Sequence, residues 1–204
     1  MPTLAQDRRE RFSYDDYSNW TDERRWELID GVAYDMSPAP SRLHQEMLLK
    51  IVRPIADFLD DTPCEAYVAP FDVRLPEDPE ASDKETFTVV QPDIVVVCDK
   101  SKLDERGCKG PPDLVIEILS PATAAKDMKD KRDLYEKHGI GEYWLVHPTD
   151  KTVMVYRMGT ENEYDKAIIC AGEDIVESGA IEGLKIGMTD LFGFSAEEGS
   201  PSKL

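Results

Sequence analysis

Pro112-Asp113-Leu114-Val115-Ile116-Glu117-Ile118-Leu119-Ser120-Pro121 joins an apolar run to a helix-start signal. Residues 114–119 are apolar at every position except Glu117. A run that is apolar on both faces fits a central strand covered on both sides. Ser120-Pro121 then offers a capping hydroxyl and a proline for a first helical turn. The pattern predicts a helix from there to about His138, stopped by Gly139, which tolerates a left-handed backbone. Further strands are expected over Glu142–His147 and Thr152–Arg157, joined by a turn at Pro148-Thr149-Asp150.

Upstream, residues 87–98 read as a strand whose end, Ile94-Val95-Val96-Val97, is again apolar on both faces. Tyr67, Ala69, Phe71, Val73 and Leu75 alternate at a period of two, the mark of a half-buried strand. Residues 76–86 and 99–112 are charged connectors. Before them Ser41 caps a helix carrying Met47, Leu48, Ile51, Val52, Ile55, Phe58 and Leu59 at helical spacing. Pro54 inside it is expected to kink or split the helix. Asp30-Gly31 between two short apolar runs predicts a tight hairpin. Taken in order, these elements predict an α/β domain: a central mixed β-sheet flanked by helices, with an N-terminal hairpin/helix extension. Residues 1–20 form an N-terminal arm, 21–192 the single domain and 193–204 a polar tail.

Composition narrows the class. The 204 residues suit one domain, and 41% hydrophobic content supports a packed core. The longest apolar runs, 94–98 among them, are five residues and far too short to span a membrane, and the polar N-terminus shows no signal peptide. Cys64, Cys98, Cys108 and Cys170 are scattered without a C-x-x-C pair, so neither a zinc site nor a disulfide scaffold is expected, and a reducing cytoplasm is the default. The formal net charge of −18 argues at first against a phosphate-bearing partner.

Two carboxylates sit where ionisation is costly. Asp93 heads the 94–98 run and Glu117 lies inside the 114–119 run, with 23 residues between them. An ionised carboxylate in an apolar strand needs a cation or hydrogen-bond donors. On adjacent strands the two could hold Mg²⁺ or Mn²⁺; equally they could be a structural, hydrogen-bonded pair. Lys131 falls on the helical stripe formed by Ala124, Met128 and Tyr135. It either meets a negative charge inside, with Glu117 the best candidate, or pairs with Asp127 on an exposed face. His44 lies in the first turn after Ser41, as a core histidine or a site residue. Glu27, just before the Asp30-Gly31 turn, is a third carboxylate or a surface ion-pair partner. No G-x-S-x-G, P-loop or dinucleotide fingerprint is present, which leaves serine-hydrolase and nucleotide-binding readings without support.

Several segments together match one known pattern. Trp26-Glu27-Leu28-Ile29-Asp30-Gly31, Gln91-Pro92-Asp93-Ile94-Val95-Val96-Val97, the opening segment around Glu117, the stretch 131–135, and Gly141-Glu142-Tyr143-Trp144-Leu145-Val146 resemble the Uma family of endonucleases. That family belongs to the restriction-endonuclease-like, PD-(D/E)XK, nuclease superfamily. The resemblance covers roughly residues 20–160 and implies a restriction-endonuclease-like core with a Mg²⁺- or Mn²⁺-dependent phosphodiesterase site acting on nucleic acid, in all expectation DNA. Asp93 matches the Asp of the Pro-Asp element and Glu117 the acidic residue of the (D/E)-x-K element. The superfamily's lysine position is Leu119 here, and the resemblance implies that Lys131 on the following helix replaces it. By the same resemblance Asp93, Glu117 and the main-chain carbonyl of Ile118 would hold the metal, while Glu27 and His44 match family motif positions. Homodimers are an expectation by analogy. The alternative is a catalytically weak or inactive nuclease-fold module that binds nucleic acid or a protein partner.

Charge along the chain fits that reading better than the total does. Residues 54–98 carry 2 basic and 11 acidic side chains and 158–204 carry 3 and 10, whereas 99–157 carry 11 of each. The acidity lies outside the segment holding Glu117 and Lys131. Nucleic acid is therefore expected to bind weakly, and more weakly still in salt.

Overall fold

The computed structural model describes residues 11–21, 24–36, 39–120 and 130–193. The helices are α1 (Tyr14–Tyr17), α2 (Arg42–Leu59), α3 (Arg132–Lys137) and α4 (Met188–Phe192). The strands in chain order are β1 (Trp26–Ile29), β2 (Val32–Asp35), β3 (Glu65–Val68), β4 (Val73–Arg74), β5 (Val89–Val90), β6 (Ile94–Val97) and β7 (Leu103–Asp104). They continue with β8 (Gly107–Lys109), β9 (Leu114–Ile118), β10 (Glu142–His147), β11 (Thr152–Arg157), β12 (Ile168–Ala171), β13 (Ile175–Glu177) and β14 (Lys185–Gly187).

The α/β class and the mixed central sheet stand. That sheet runs β12-β11-β10-β9-β6-β3, with β9 and β10 parallel and the other neighbours antiparallel. A second six-stranded sheet, β2-β1-β5-β4-β8-β7, accompanies it, and β13–β14 form a separate hairpin. The runs apolar on both faces occupy the interior, as expected: β6, β9 and most of β10 are buried throughout. One face, through Ile94, Val96, Ile116 and Trp144, packs on Met47, Ile51, Ile55 and Leu59 of α2 and on Met188 and Leu191 of α4. The other face, through Val95, Val97, Val115 and Leu145, packs on α3 and on Val73, Val90 and Cys108 of the second sheet.

Local chemistry explains the element ends. Asp30 (φ 49°) and Gly31 (φ 81°) form the two-residue turn of the β1–β2 hairpin, both at positive φ. Ser41 accepts from the His44 N–H at 3.2 Å and opens α2. α2 runs unsplit through Pro54, whose missing N–H removes one intrahelical bond while the buried stripe on either side holds the helix. Gly139 (φ 74°) follows the end of α3. The helix expected to start at Ser120-Pro121 runs into residues 121–129, which lie outside the described residues.

Three expectations need correction. The 67–75 alternation is not one strand: it divides into β3 of the central sheet and β4 of the second, with Pro70, which has no N–H for a ladder, between them. Residues 87–98 divide likewise into β5 and β6 around Gln91-Pro92-Asp93. Finally, Cys64 and Cys98 form a disulfide. They flank the Glu65↔Val97 pair of β3 and β6, so sheet register rather than local spacing brings them face to face across 34 positions.

Candidate active site

Lys131 is the centre of the site. Its side chain is 3% exposed, and Nζ lies 2.7 Å from Glu117 Oε1 and 2.9 Å from Glu27 Oε1. Glu117 comes from β9 of the central sheet and Glu27 from β1 of the second, so the ammonium joins the two sheets. A buried cation between two carboxylates, each also hydrogen-bonded, is the arrangement in which burying charge is tolerated. Of the two readings for Lys131, the inward one holds; Asp127 lies outside the described residues.

Tyr135 completes this cluster and was visible in the sequence only as a member of the stripe. Its hydroxyl donates to Glu117 Oε1 at 2.7 Å. Lys131 and Tyr135 are four apart, which puts both side chains on one helical face; that spacing was the available signal. Burial, reinforced by the Glu117 and Glu27 carboxylates, pushes the Tyr135 hydroxyl well above its ordinary value of 10.0, so it stays a proton donor. Glu27 Oε1 also accepts the Gln91 main-chain N–H at 3.1 Å, which ties β1 to the segment leading to Asp93.

Asp93 and His44 form a second pair. The Ile94↔Ile116 register of β6 and β9, extended by one residue, sets Asp93 opposite Glu117. Asp93 Oδ2 accepts the Ile118 main-chain N–H at 2.8 Å and lies 3.0 Å from His44 Nε2. With a carboxylate facing it, Nε2 carries the hydrogen and donates. His44 Nδ1 is buried with no hydrogen-bond partner. All the sequence candidates thus assemble: Glu27, Glu117 and Lys131 directly, and Asp93 with His44 beside them. Ile118 joins through its N–H.

The donor set can be tested against a divalent cation. Among the described residues no group of three His, Cys, Asp or Glu is arranged to hold a metal ion. Glu27 and Glu117 pair with the Lys131 ammonium, and Asp93 stands opposite Glu117 across β6 and β9, so carboxylates outnumber lysine ammonium here. Asp93 and Glu117 are hard oxygen donors on facing strand positions, and Mg²⁺ is held through one or two carboxylates while keeping several waters. The residues fit a Mg²⁺-like ion held by few protein ligands.

Comparison with known proteins gives the fold and the family. A solved structure of a "putative nuclease belonging to DUF820" from Anabaena variabilis superposes with a TM-score of 0.69 at 21% identity, covering 89% of this chain and 98% of the other. At that identity the likeness is one of fold. The uncharacterized protein slr1290 of Synechocystis sp. is 26% identical over 157 residues, 76% of this chain and 78% of its own length. The family described as "Putative restriction endonuclease", Uma2, matches residues 14–189. A match of that extent makes this chain a member of the Uma2 family.

Proposed function

We propose that this chain is a metal-dependent endonuclease that hydrolyses phosphodiester bonds in DNA. The observation that carries the reading is the buried Lys131 ammonium held by Glu117 and Glu27 beside Asp93. Asp93, Glu117 and the main-chain carbonyl of Ile118 would hold Mg²⁺ or Mn²⁺. When bound, such an ion supplies Lewis-acid chemistry: charge compensation at the phosphate and a more acidic water. Lys131 orients the attacking water or offsets charge developing on the phosphate. Glu27 and Tyr135 fix where the Lys131–Glu117 pair sits, and His44 fixes the Asp93 carboxylate. The acidic surface limits affinity for DNA, and a homodimer would bring two such sites to the two strands of a duplex.

A second reading is supported by one specific feature. Glu117 Oε1 is shared by Lys131 and Tyr135, and no three-ligand group is formed among the described residues. A nuclease-fold module that binds nucleic acid or a protein without cutting would show the same features. Isothermal titration with Mg²⁺ and Mn²⁺ separates the two. Binding that is lost in Asp93→Ala and Glu117→Ala supports the nuclease, and absence of binding in the parent protein supports the module.

A further inference from the structure

Two clefts of about 520 and 400 Å³ adjoin each other beside the candidate active site, sharing Tyr17, Asp72 and Arg106. Flat rings line both. In the larger cleft Tyr67 and Phe71 stack with centroids 4.2 Å apart and planes 7° apart. In the smaller, Trp20 meets Trp26 edge-on at 5.6 Å, and the Arg24 guanidinium lies 4.6 Å over the Trp26 ring. Arg24 and Arg106 are offset by Asp72, Asp104 and Glu105, so the walls carry no positive excess for a run of phosphates. Stacking on aromatic rings needs no such excess, because every nucleobase has a π-face.

The floor is polar and unevenly satisfied. Gln91 Nε2 donates to Asp72 Oδ1 at 2.8 Å and to the Tyr17 hydroxyl at 3.2 Å, while its Oε1 accepts from Arg25 Nε at 3.0 Å. Both N–H donors of that amide are used. Asp72 is not: the Tyr14 and Tyr17 hydroxyls stand at 3.4 and 3.5 Å from its oxygens, beyond the ordinary O–H···O range of about 2.5–3.0 Å. A half-buried carboxylate bordering both clefts thus keeps acceptor capacity for a better donor.

The clefts are coupled to the site through the backbone. Gln91, on the cleft floor, gives its main-chain N–H to Glu27, and Ala69, beside the Tyr67–Phe71 wall, gives its N–H to the Asp93 carbonyl. Gln91 stands two residues from Asp93, roughly 7 Å of extended chain. That is roughly the length of two stacked nucleotides at about 3.4 Å each.

We propose that this double cleft is a subsite for an unpaired nucleobase of the strand being cut, stacked on the aromatic walls with an exocyclic amino group donating to Asp72. The proposal rests on the nuclease reading for its connection to cleavage. It makes single-stranded or locally opened DNA the substrate, because a base inside a duplex presents neither its faces nor its pairing edge.

Tryptophan fluorescence of the full chain reads the subsite directly, since Trp20 and Trp26 line the cleft whereas Trp144 is 1% exposed in the core. The titrants are short oligodeoxycytidine, oligothymidine and a duplex of the same length, with EDTA present to prevent cleavage. Oligodeoxycytidine is expected to quench the emission and to bind about tenfold tighter than the duplex or oligothymidine. Trp20→Ala is expected to weaken it roughly tenfold, and Asp72→Asn to erase the preference for cytosine over thymine. Should Trp20→Ala fail to fold, Arg106→Ala, at an exposed turn, is expected to weaken oligodeoxycytidine in the same direction. Equal binding of single strand and duplex, equal binding of the two homopolymers, or absence of quenching would overturn the proposal. Cleavage of fully paired DNA that Asp72→Asn leaves unchanged would overturn the subsite and leave the nuclease standing. Quenching by oligodeoxycytidine in a protein that cuts nothing would do the reverse.

Discussion

Lys131 Nζ lies 2.9 Å from Glu27 Oε1, an ion pair between the residue preceding α3 and the first hairpin, with both side chains buried. With Glu117 on the other side, the ammonium fastens the two sheets at the point where the candidate chemistry sits.

Removing that ammonium leaves two buried carboxylates without their cation. Lys131→Ala is therefore expected to lower stability by about 3–5 kcal/mol at neutral pH and to abolish Mg²⁺-dependent cleavage. Combining it with Glu27→Gln should restore part of the stability and none of the cleavage. Denaturant unfolding of the single and double variants measures the coupling; additive losses would contradict the ion pair.

Tyr135→Phe tests the second hydrogen bond on Glu117. Loss of a buried O–H donor to a carboxylate is expected to cost about 1.5–3 kcal/mol. Cleavage should fall by less than in Lys131→Ala, because in the proposed role the phenol acts only by positioning Glu117. Thermal unfolding and cleavage rates measured side by side decide it.

Asp72 gives a pH signature. Burial holds its carboxyl above the ordinary value of 3.8, so the folded chain keeps this proton more tightly than the unfolded one. Its contribution is then most favourable at low pH and is lost as pH rises through the raised folded value. The stability of Asp72→Asn relative to the parent should accordingly increase from about pH 3 to about pH 7. A difference that does not change with pH would contradict the assignment.

The disulfide has a simple count attached to it. Cys108 and Cys170 are the free thiols among four cysteines. Denatured, unreduced protein should therefore titrate two thiols per chain, and four would show Cys64 and Cys98 unbonded.

Glu117 and Lys131 were legible in the sequence because each violates a pattern: a carboxylate inside an apolar strand and an ammonium on an apolar helical stripe. Local periodicity is enough to expose such violations. Asp93 and Glu27 were legible as candidates, but their places depend on strand register, and the hairpin that carries Glu27 gave no hint that it belongs to a second sheet. Residues 67–75 and 87–98 each read as one strand across Pro70 and Pro92, whereas at each proline the chain crosses from one sheet to the other. Those crossings set Gln91 between Glu27 and the cleft. The Cys64–Cys98 bond and the walls of Tyr17, Trp26, Tyr67 and Phe71 were out of reach for the same reason. They are contacts between distant segments, fixed by tertiary packing rather than by spacing.

The proposed function has Glu117 and Lys131 serving metal-dependent phosphodiester hydrolysis. Its most direct test is cleavage of a panel of single-stranded DNA, duplex DNA and RNA by the purified chain in Mg²⁺, with EDTA, Glu117→Ala and Lys131→Ala as controls, each variant first checked for folding. Cutting of DNA by the parent chain alone, abolished by EDTA and by either substitution, is the predicted result. Cutting that survives in the folded Glu117→Ala or Lys131→Ala protein would contradict it.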